Sequence, residues 1–323
     1  MTLPALNEHH QATTLSKPPS IIDIYFDKGF RGLTYAFTLA TILLLGYMVM
    51  EIGGKALPAL SDYGLGFLTS TTWDVNAGEF GILPEIWGTL YSSILALIIG
   101  GFFGITIAIF LTQDFLPHQI EMVLKTIVEL LAAIPSVVYG LWGIFFLIPL
   151  LRPLADFFHE TFGWIPFFST SLSGPGMLPA ALVLAIMILP TIAAVSQDAL
   201  RAIPHKTKEA AFGMGTTRWE AILRVMLPTA STGIFGALVL GFGRALGETM
   251  ALAMLVGNSN QISLSLFSPA NTLAALLALN FPEAGALETP VLMYAACVLL
   301  LITLVVNIAG ALIMANTNAG VNK

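Results

Sequence analysis

The sequence predicts an all-α integral membrane protein with six transmembrane helices. Composition, long apolar stretches and the placement of basic residues support this fold class. Of the 323 residues, 56% are apolar and 10% are charged, and the mean hydropathy is +0.85. A soluble domain carries roughly 25% charged residues. The composition therefore excludes a cytosolic enzyme, a disordered regulator and a nucleic-acid binder, and the net charge of -6 gives no basic field that would attract phosphate backbones.

Six stretches are long and apolar enough to cross a hydrocarbon layer of about 30 Å as helices. They lie at about 33–50, 86–112, 126–151, 177–196, 229–256 and 291–314. An outer-membrane barrel would instead show alternating segments of about ten residues, and these stretches are too continuous for that. A further apolar piece at 272–281 is too short to span and is expected to form a partly inserted or surface-lying helix.

Lysine and arginine predict the orientation, because cytoplasmic loops are enriched in them. Ten of the 13 basic residues lie in segments that share one side of a six-span chain, namely 1–32, 113–125, 197–228 and 317–323. Both termini are therefore expected to be cytoplasmic, with the membrane domain at 33–316. The polar lead 1–32 favours an uncleaved tail over a signal peptide. Within it, 21–31 is compatible with a short helix on the membrane surface or with a flexible lead.

Motifs for covalent chemistry and for metal binding are missing from the sequence. The single cysteine, Cys297, excludes an intramolecular disulfide and a CxxC site, and the five histidines lie outside the predicted spans. No GxxxxGK[ST] loop is present, so the chain is not expected to be its own ATPase. No Ser-His-Asp or HExxH arrangement appears, and no cofactor is expected.

The polar connection at 203–228 contains the most specific pattern in the sequence. It consists of an acid and two alanines, three residues, a glycine, nine residues, and a closing Val-x-Leu-Pro: Glu209, Ala210, Ala211, Gly215 and Val225 to Pro228.

Local signals predict a helix, a turn and a second helix in this connection. Gly215 can end the first helix in a left-handed conformation, and Thr217 with Glu220 forms a capping box that would begin the second. Pro228 is expected to break or kink the chain before the fifth span. From these signals alone, two capped helices without a partner remain as plausible as a docking element.

Three charged residues fall inside predicted spans, where charges are costly and face a protein interior or a wet cavity. Arg244 and Glu248 are four apart and are expected to share one face of the fifth span. Glu129 lies in the third span, just before Pro135, which should kink that helix. Arg244 could pair with either acid and only hold the bundle together. It could also contact a permeating anion, because a guanidinium matches tetrahedral oxyanions.

The 203–228 pattern resembles the EAA motif of bacterial ABC importer permeases, departing from it only by Val225 in place of isoleucine. In that family the segment forms coupling helices that dock in a groove of a separate ATPase subunit. The resemblance implies coupling roles for Glu209, Ala210, Ala211, Gly215 and Pro228.

Two further runs are similar to the permease subunits of phosphate-specific ABC importers, namely GRALGETMA at 243–251 and ELLAAIPSVVYG at 129–140. The similarity covers most of residues 30–315. It implies that Arg244 and Glu248 are linked to phosphate passage. It also implies a complex in the bacterial cytoplasmic (inner) membrane with a homologous PstA-type permease, two PstB-type ATPases and an external PstS-type phosphate-binding protein.

The expected function is therefore that of a permease subunit in an ATP-driven importer of inorganic phosphate, without covalent chemistry of its own. One alternative changes the cargo to sulfate, molybdate or another oxyanion, which would suit the same arginine. The other is a secondary transporter in which Glu248 carries a coupling proton. The EAA-type pattern weighs against the second alternative.

Overall fold

The computed structural model describes residues 21–113 and 115–321. The chain forms two compact units. The first ends at Glu51, within the first helix, and the second begins at Ile52. Helix α1 spans Ile21–Tyr63. It is longer than the stretch expected at 33–50, and residues 21–31 form its first turns rather than a separate surface helix or a flexible lead. The large apolar side chains of α1 that belong to the first unit are exposed, among them Phe26, Phe37 and Leu43.

A short ordered connection follows α1. It contains helix α2 (Gly66–Thr69) and a two-stranded antiparallel hairpin of β1 (Trp73–Asp74) and β2 (Glu79–Phe80). Helix α3 (Leu83–Phe110) then covers almost all of the stretch predicted at 86–112. A proline at its second position fits the first turn, where a missing N–H costs little.

The stretch predicted as a continuous third span at 126–151 is broken. Helix α4 covers His118–Ala133 and α5 covers Ser136–Trp142. Between them Ile134 is extended, with ψ at 128°, because the residue before a proline is disfavoured in the helical region. A π-helical turn, Gly143–Leu147, connects α5 to α6 (Ile148–Phe162). The helix of membrane-spanning length is therefore 136–162, displaced by about ten residues from the prediction.

Helix α7 (Met177–Arg201) covers the predicted fourth stretch. Helices α8 (His205–Gly213) and α9 (Arg218–Ala221) follow, then a π-helical turn, Ile222–Met226, and the single turn α10 (Leu227–Thr229). Helix α11 covers Ser231–Leu246, and the chain is bent by 71° at Ala230 between 218–229 and α11.

The predicted fifth span at 229–256 is interrupted as well. Helix α11 ends at Leu246, and a separate short helix, α12 (Met250–Leu255), follows. Helix α13 (Leu273–Asn280) lies in the short apolar piece, and α14 (Glu288–Val321) contains the last predicted stretch. Within the described residues, five helices are long and apolar enough to cross a membrane, or six if the bent pair counts as one span.

The core lies where α3, α7 and α11 pack together. Ile188 and Ile192 of α7 are fully buried there. Glycines permit the close approach: a Cβ at Gly100 would lie 2.8 Å from the carbonyl oxygen of Ala185, and a Cβ at Gly241 would lie 2.7 Å from Ile192. Small residues at such contacts are typical of membrane helices, whose association depends on close packing.

Candidate functional site

The 203–228 connection folds as the predicted helix, turn and helix. Helix α8 begins after Pro204, and Gly215 follows its C-cap with φ at +84°. That left-handed conformation is readily adopted by glycine and ends the helix. The capping box is also confirmed. The backbone N–H of Thr217 donates to Oε2 of Glu220 over 2.9 Å, and the Glu220 N–H donates to Oγ1 of Thr217 over 3.3 Å.

The two alanines of the motif lie on different faces of α8. Ala210 is exposed, as is Glu209, whereas Ala211 is only 2% exposed and packs with Ile203, Ala221 and other buried residues of the same cluster. Ala211 therefore faces the interior of this unit, and of the two alanines only Ala210 is exposed. Successive residues of an α-helix are rotated by about 100° around its axis, so neighbours commonly face different environments.

Aromatic contacts anchor the second half of the connection. The rings of Phe115 and Trp219 stack with centroids 5.0 Å apart, and the Arg218 guanidinium carbon lies 6.0 Å from the Phe115 centroid. Ile222 and Met226 are buried. The connection is thus a packed unit at the end of α3. It leads through the 71° bend directly into α11.

Arg244 lies two residues before the end of α11 and is exposed in the isolated chain. Its Nη1 donates a hydrogen bond to Oγ1 of Thr191 on α7, over 3.4 Å. No ion pair to either predicted acid is present among the described residues. Its guanidinium is therefore oriented by a neutral hydroxyl and keeps most of its donors accessible.

Glu248 does not share a helix face with Arg244, because α11 ends at Leu246. That expectation is wrong. Glu248 lies in the break before α12, and its Oε1 accepts a hydrogen bond from the backbone N–H of Ala251 over 3.3 Å. A carboxylate at that place satisfies one of the N–H groups that a helix start leaves without an intrahelical partner.

Glu129 lies on α4, upstream of the Pro135 break. Its Oε1 is 3.9 Å from Nζ of Lys125, one turn earlier, and both side chains are more than half exposed. The structure therefore brings neither Glu129 nor Glu248 into an ion pair with Arg244.

A buried carboxyl on α3 was missed by sequence reasoning. Glu85 is 0% exposed, and its Oε1 accepts a hydrogen bond from Nδ2 of Asn271 over 3.4 Å. Its partner lies 186 residues away along the chain, so no local pattern could have identified the contact. Among residues 21–113 and 115–321, no group of three or more His, Cys, Asp and Glu side chains could hold a metal ion.

The chain is similar to a known protein family and to several characterised members of it. Residues 100–315 match the family model described as "Binding-protein-dependent transport system inner membrane component". The chain is 40% identical over 286 residues to the phosphate transport system permease protein PstC of Mesorhizobium japonicum, with 87% of each chain covered. It is 41% identical over 291 residues to the PstC protein of Pasteurella multocida, with 88% of this chain and 91% of that protein covered.

Solved structures agree on the fold. A chain of a bacterial ABC transporter involved in the import of alginate superposes with a TM-score of 0.62 at 18% identity, covering 91% of this chain and 98% of that one. A chain of the MetNI methionine ABC transporter gives a TM-score of 0.54, covering 73% and 95%. Together with the matched family model and the curated relatives, these findings place the chain: it is a multi-pass membrane transport subunit that belongs to the family of binding-protein-dependent transport system inner membrane components.

Proposed function

We propose that the chain is a permease subunit of an ATP-driven importer that moves inorganic phosphate into the cytoplasm across the bacterial cytoplasmic membrane. It spans the membrane six times, with both termini cytoplasmic, and pairs with a homologous PstA-type permease. Two PstB-type ATPases and an external PstS-type binding protein complete the complex. The names of relatives about 40% identical over most of the chain support the cargo.

The observation that carries the proposal is the exposed, anchored α8–turn–α9 unit. Glu209 and Ala210 point away from the protein while Ala211 fixes the helix from the other side. A separate ATPase can therefore bind the exposed face of α8 without unfolding the unit. Because the unit is packed and continues through the bend into α11, a rigid displacement of α8 and α9 moves α11. This is the coupling that alternating access requires.

Arg244 is the proposed cargo contact. Phosphate carries several acceptor oxygens, and a guanidinium can donate to two of them at once. The Thr191 hydroxyl beside it orients the side chain. Glu248 and Glu129 are proposed to line the same pathway, where their negative charge keeps anion binding weak enough for release.

Transport into proteoliposomes tests this proposal. Vesicles would contain this chain, the partner permease, the ATPase and the binding protein. Phosphate uptake is measured with and without ATP and with excess sulfate or molybdate. Uptake that needs ATP and resists both competitors supports the proposal. Uptake that continues without ATP and collapses with an uncoupler would refute it.

Arg244 variants test the contact separately. Arg244→Ala is expected to reduce uptake at least tenfold, because a charge-assisted hydrogen bond contributes about 1.5–3 kcal/mol. Arg244→Lys keeps the positive charge but loses the forked pair of N–H donors, so its uptake should lie between that of Arg244→Ala and that of the unaltered protein. Uptake by Arg244→Ala equal to that of the unaltered protein would reduce the arginine to a structural role and leave the importer assignment intact.

Coupling is tested at Glu209. Glu209→Ala should weaken association with the ATPase and reduce uptake, whereas Lys206→Ala, also exposed on α8, is the matched control. Equal association for both variants would contradict the assignment of the docking face.

A further inference from the structure

The second half of the segment that connects α12 to α13 (residues 257–272) is largely buried although it is polar, whereas Ile262 and Leu264 in the first half are more than 40% exposed. Ser265, Phe267, Ser268 and Asn271 are 1–4% exposed. A connecting segment normally lies at the surface, because its backbone groups need partners. This one finds its partners inside the protein, so it occupies a fixed place among the helices.

The first turns of α3 supply several of these partners. Nε1 of Trp87 donates to the carbonyl of Ser263 over 3.1 Å, and the Tyr91 hydroxyl donates to the carbonyl of Leu264 over 2.8 Å. Just beyond the segment, the backbone N–H of Leu273 donates to Oγ1 of Thr89 over 2.9 Å. The segment therefore lies along α3 over two helical turns.

The start of α7 holds the other side of the segment. The N–H groups of Met177 and Leu178 donate to the carbonyls of Ser268 and Leu266, over 3.0 Å and 2.7 Å. These backbone contacts are independent of side-chain identity. The hydrogen bonds that join the segment to α3, in contrast, use side chains of that helix.

Glu85 occupies the centre of this contact. It is fully buried, and its hydrogen bond from Asn271 is 3.4 Å long. Its second oxygen, Oε2, has no hydrogen-bond partner among the described residues, and no ion pair forms to it there. The Glu85 side chain therefore reaches the segment through one long hydrogen bond from a neutral amide and not through a salt bridge.

The backbone beside this bond is in tight contact. A Cβ at Gly88 would lie 1.8 Å from the carbonyl oxygen of Asn271, so the segment and α3 touch without a side chain between them. Segment 257–272 also begins just after α12, and α12 itself follows the break that holds Glu248. A shift of the segment relative to α3 would therefore reach the end of α11 that carries Arg244.

We propose that Glu85 is a positioning residue that ties the 257–272 segment to α3 through Asn271, and that it does so by hydrogen bonding and not by charge. Tied in this way, the segment moves with α3 and fixes the C-terminal end of α12.

Accessibility of the segment tests the tie directly and does not depend on the cargo. A cysteine at position 268 (Ser268→Cys) is introduced into a Cys297→Ser chain in the assembled complex, and labelling by a water-soluble maleimide is timed. Glu85→Ala and Asn271→Ala should each increase the labelling rate at least tenfold. Glu85→Gln, which keeps the acceptor oxygen, should stay within about twofold of the unaltered chain. Glu79→Ala, an exposed acid in β2, is the matched control.

The ratio of phosphate imported to ATP hydrolysed supplies the functional readout, which rests on the proposed function. Glu85→Ala should lower this ratio several-fold while ATP hydrolysis continues, and Glu85→Gln should preserve it. A variant that merely misfolds would lose both activities together. Unchanged labelling in Glu85→Ala, or labelling in Glu85→Gln as fast as in Glu85→Ala, would overturn the proposal. If Glu85→Ala does not assemble, Asn271→Ala and Glu85→Gln decide the question by the same criteria.

Discussion

Adjacent leucine substitutions at Ala210 and Ala211 should have opposite consequences. Ala211 is 2% exposed and packs against Ile203 and Ala221, whereas Ala210 is exposed. Leucine at 211 adds three carbon atoms to a filled space, and overpacking of this kind costs about 1–3 kcal/mol. Leucine at 210 adds them on the surface, where substitutions change the free energy of unfolding by about 0.5 kcal/mol or less.

Two measurements separate these effects. Thermal unfolding of the purified chain should show a Tm lowered by about 2 °C or more for Ala211→Leu, since 1 kcal/mol corresponds to about 2–4 °C in a domain of 150–250 residues. Ala210→Leu should keep its Tm. Association with the ATPase should show the reverse ranking, because the larger side chain at 210 obstructs the proposed docking face. We expect at least a tenfold loss of affinity for Ala210→Leu.

A particular outcome would refute this reasoning. If Ala211→Leu unfolds at the same temperature as the unaltered chain yet fails to bind the ATPase, Ala211 faces the partner and not the protein interior. A Tm lowered equally by both substitutions would show that neither position is a docking face.

Three further predictions concern other elements. Gly88→Ala should lower the Tm by several degrees, because its Cβ would collide with the backbone of Asn271 and overpacking costs about 1–3 kcal/mol; Gly54→Ala, with nothing within 4 Å of the added carbon, is the control, and equal Tm values for the two would contradict the close contact. Thr217→Ala removes a capping box and should cost about 1 kcal/mol, seen as a lower Tm; an unchanged Tm would mean that the cap does not stabilise the unit. Glu129→Gln breaks only an exposed ion pair, which is worth about 0–1 kcal/mol, so the Tm should hold while uptake falls if the residue lines the pathway; unchanged uptake would remove Glu129 from it.

Features decided by near neighbours in the chain were predictable from the sequence. The long apolar runs of α3, α7 and α14 specify helices by themselves, because a span must satisfy its backbone internally. The Thr217 capping box and the left-handed Gly215 also follow from residues within one turn. The spacing of the 209–228 motif was sufficient to identify the coupling unit as a candidate.

Tertiary structure alone decided which groups meet. The breaks at 134–135 and 247–249 separate residues that a continuous helix would align, so Arg244 contacts Thr191 of α7 instead of Glu248. The orientation of Ala211 depends on what packs above it, and the sequence does not state that. Glu85 meets Asn271 only because the 257–272 segment folds back onto α3. Contacts between distant residues depend on the packing of whole helices, and local pattern carries no record of that packing.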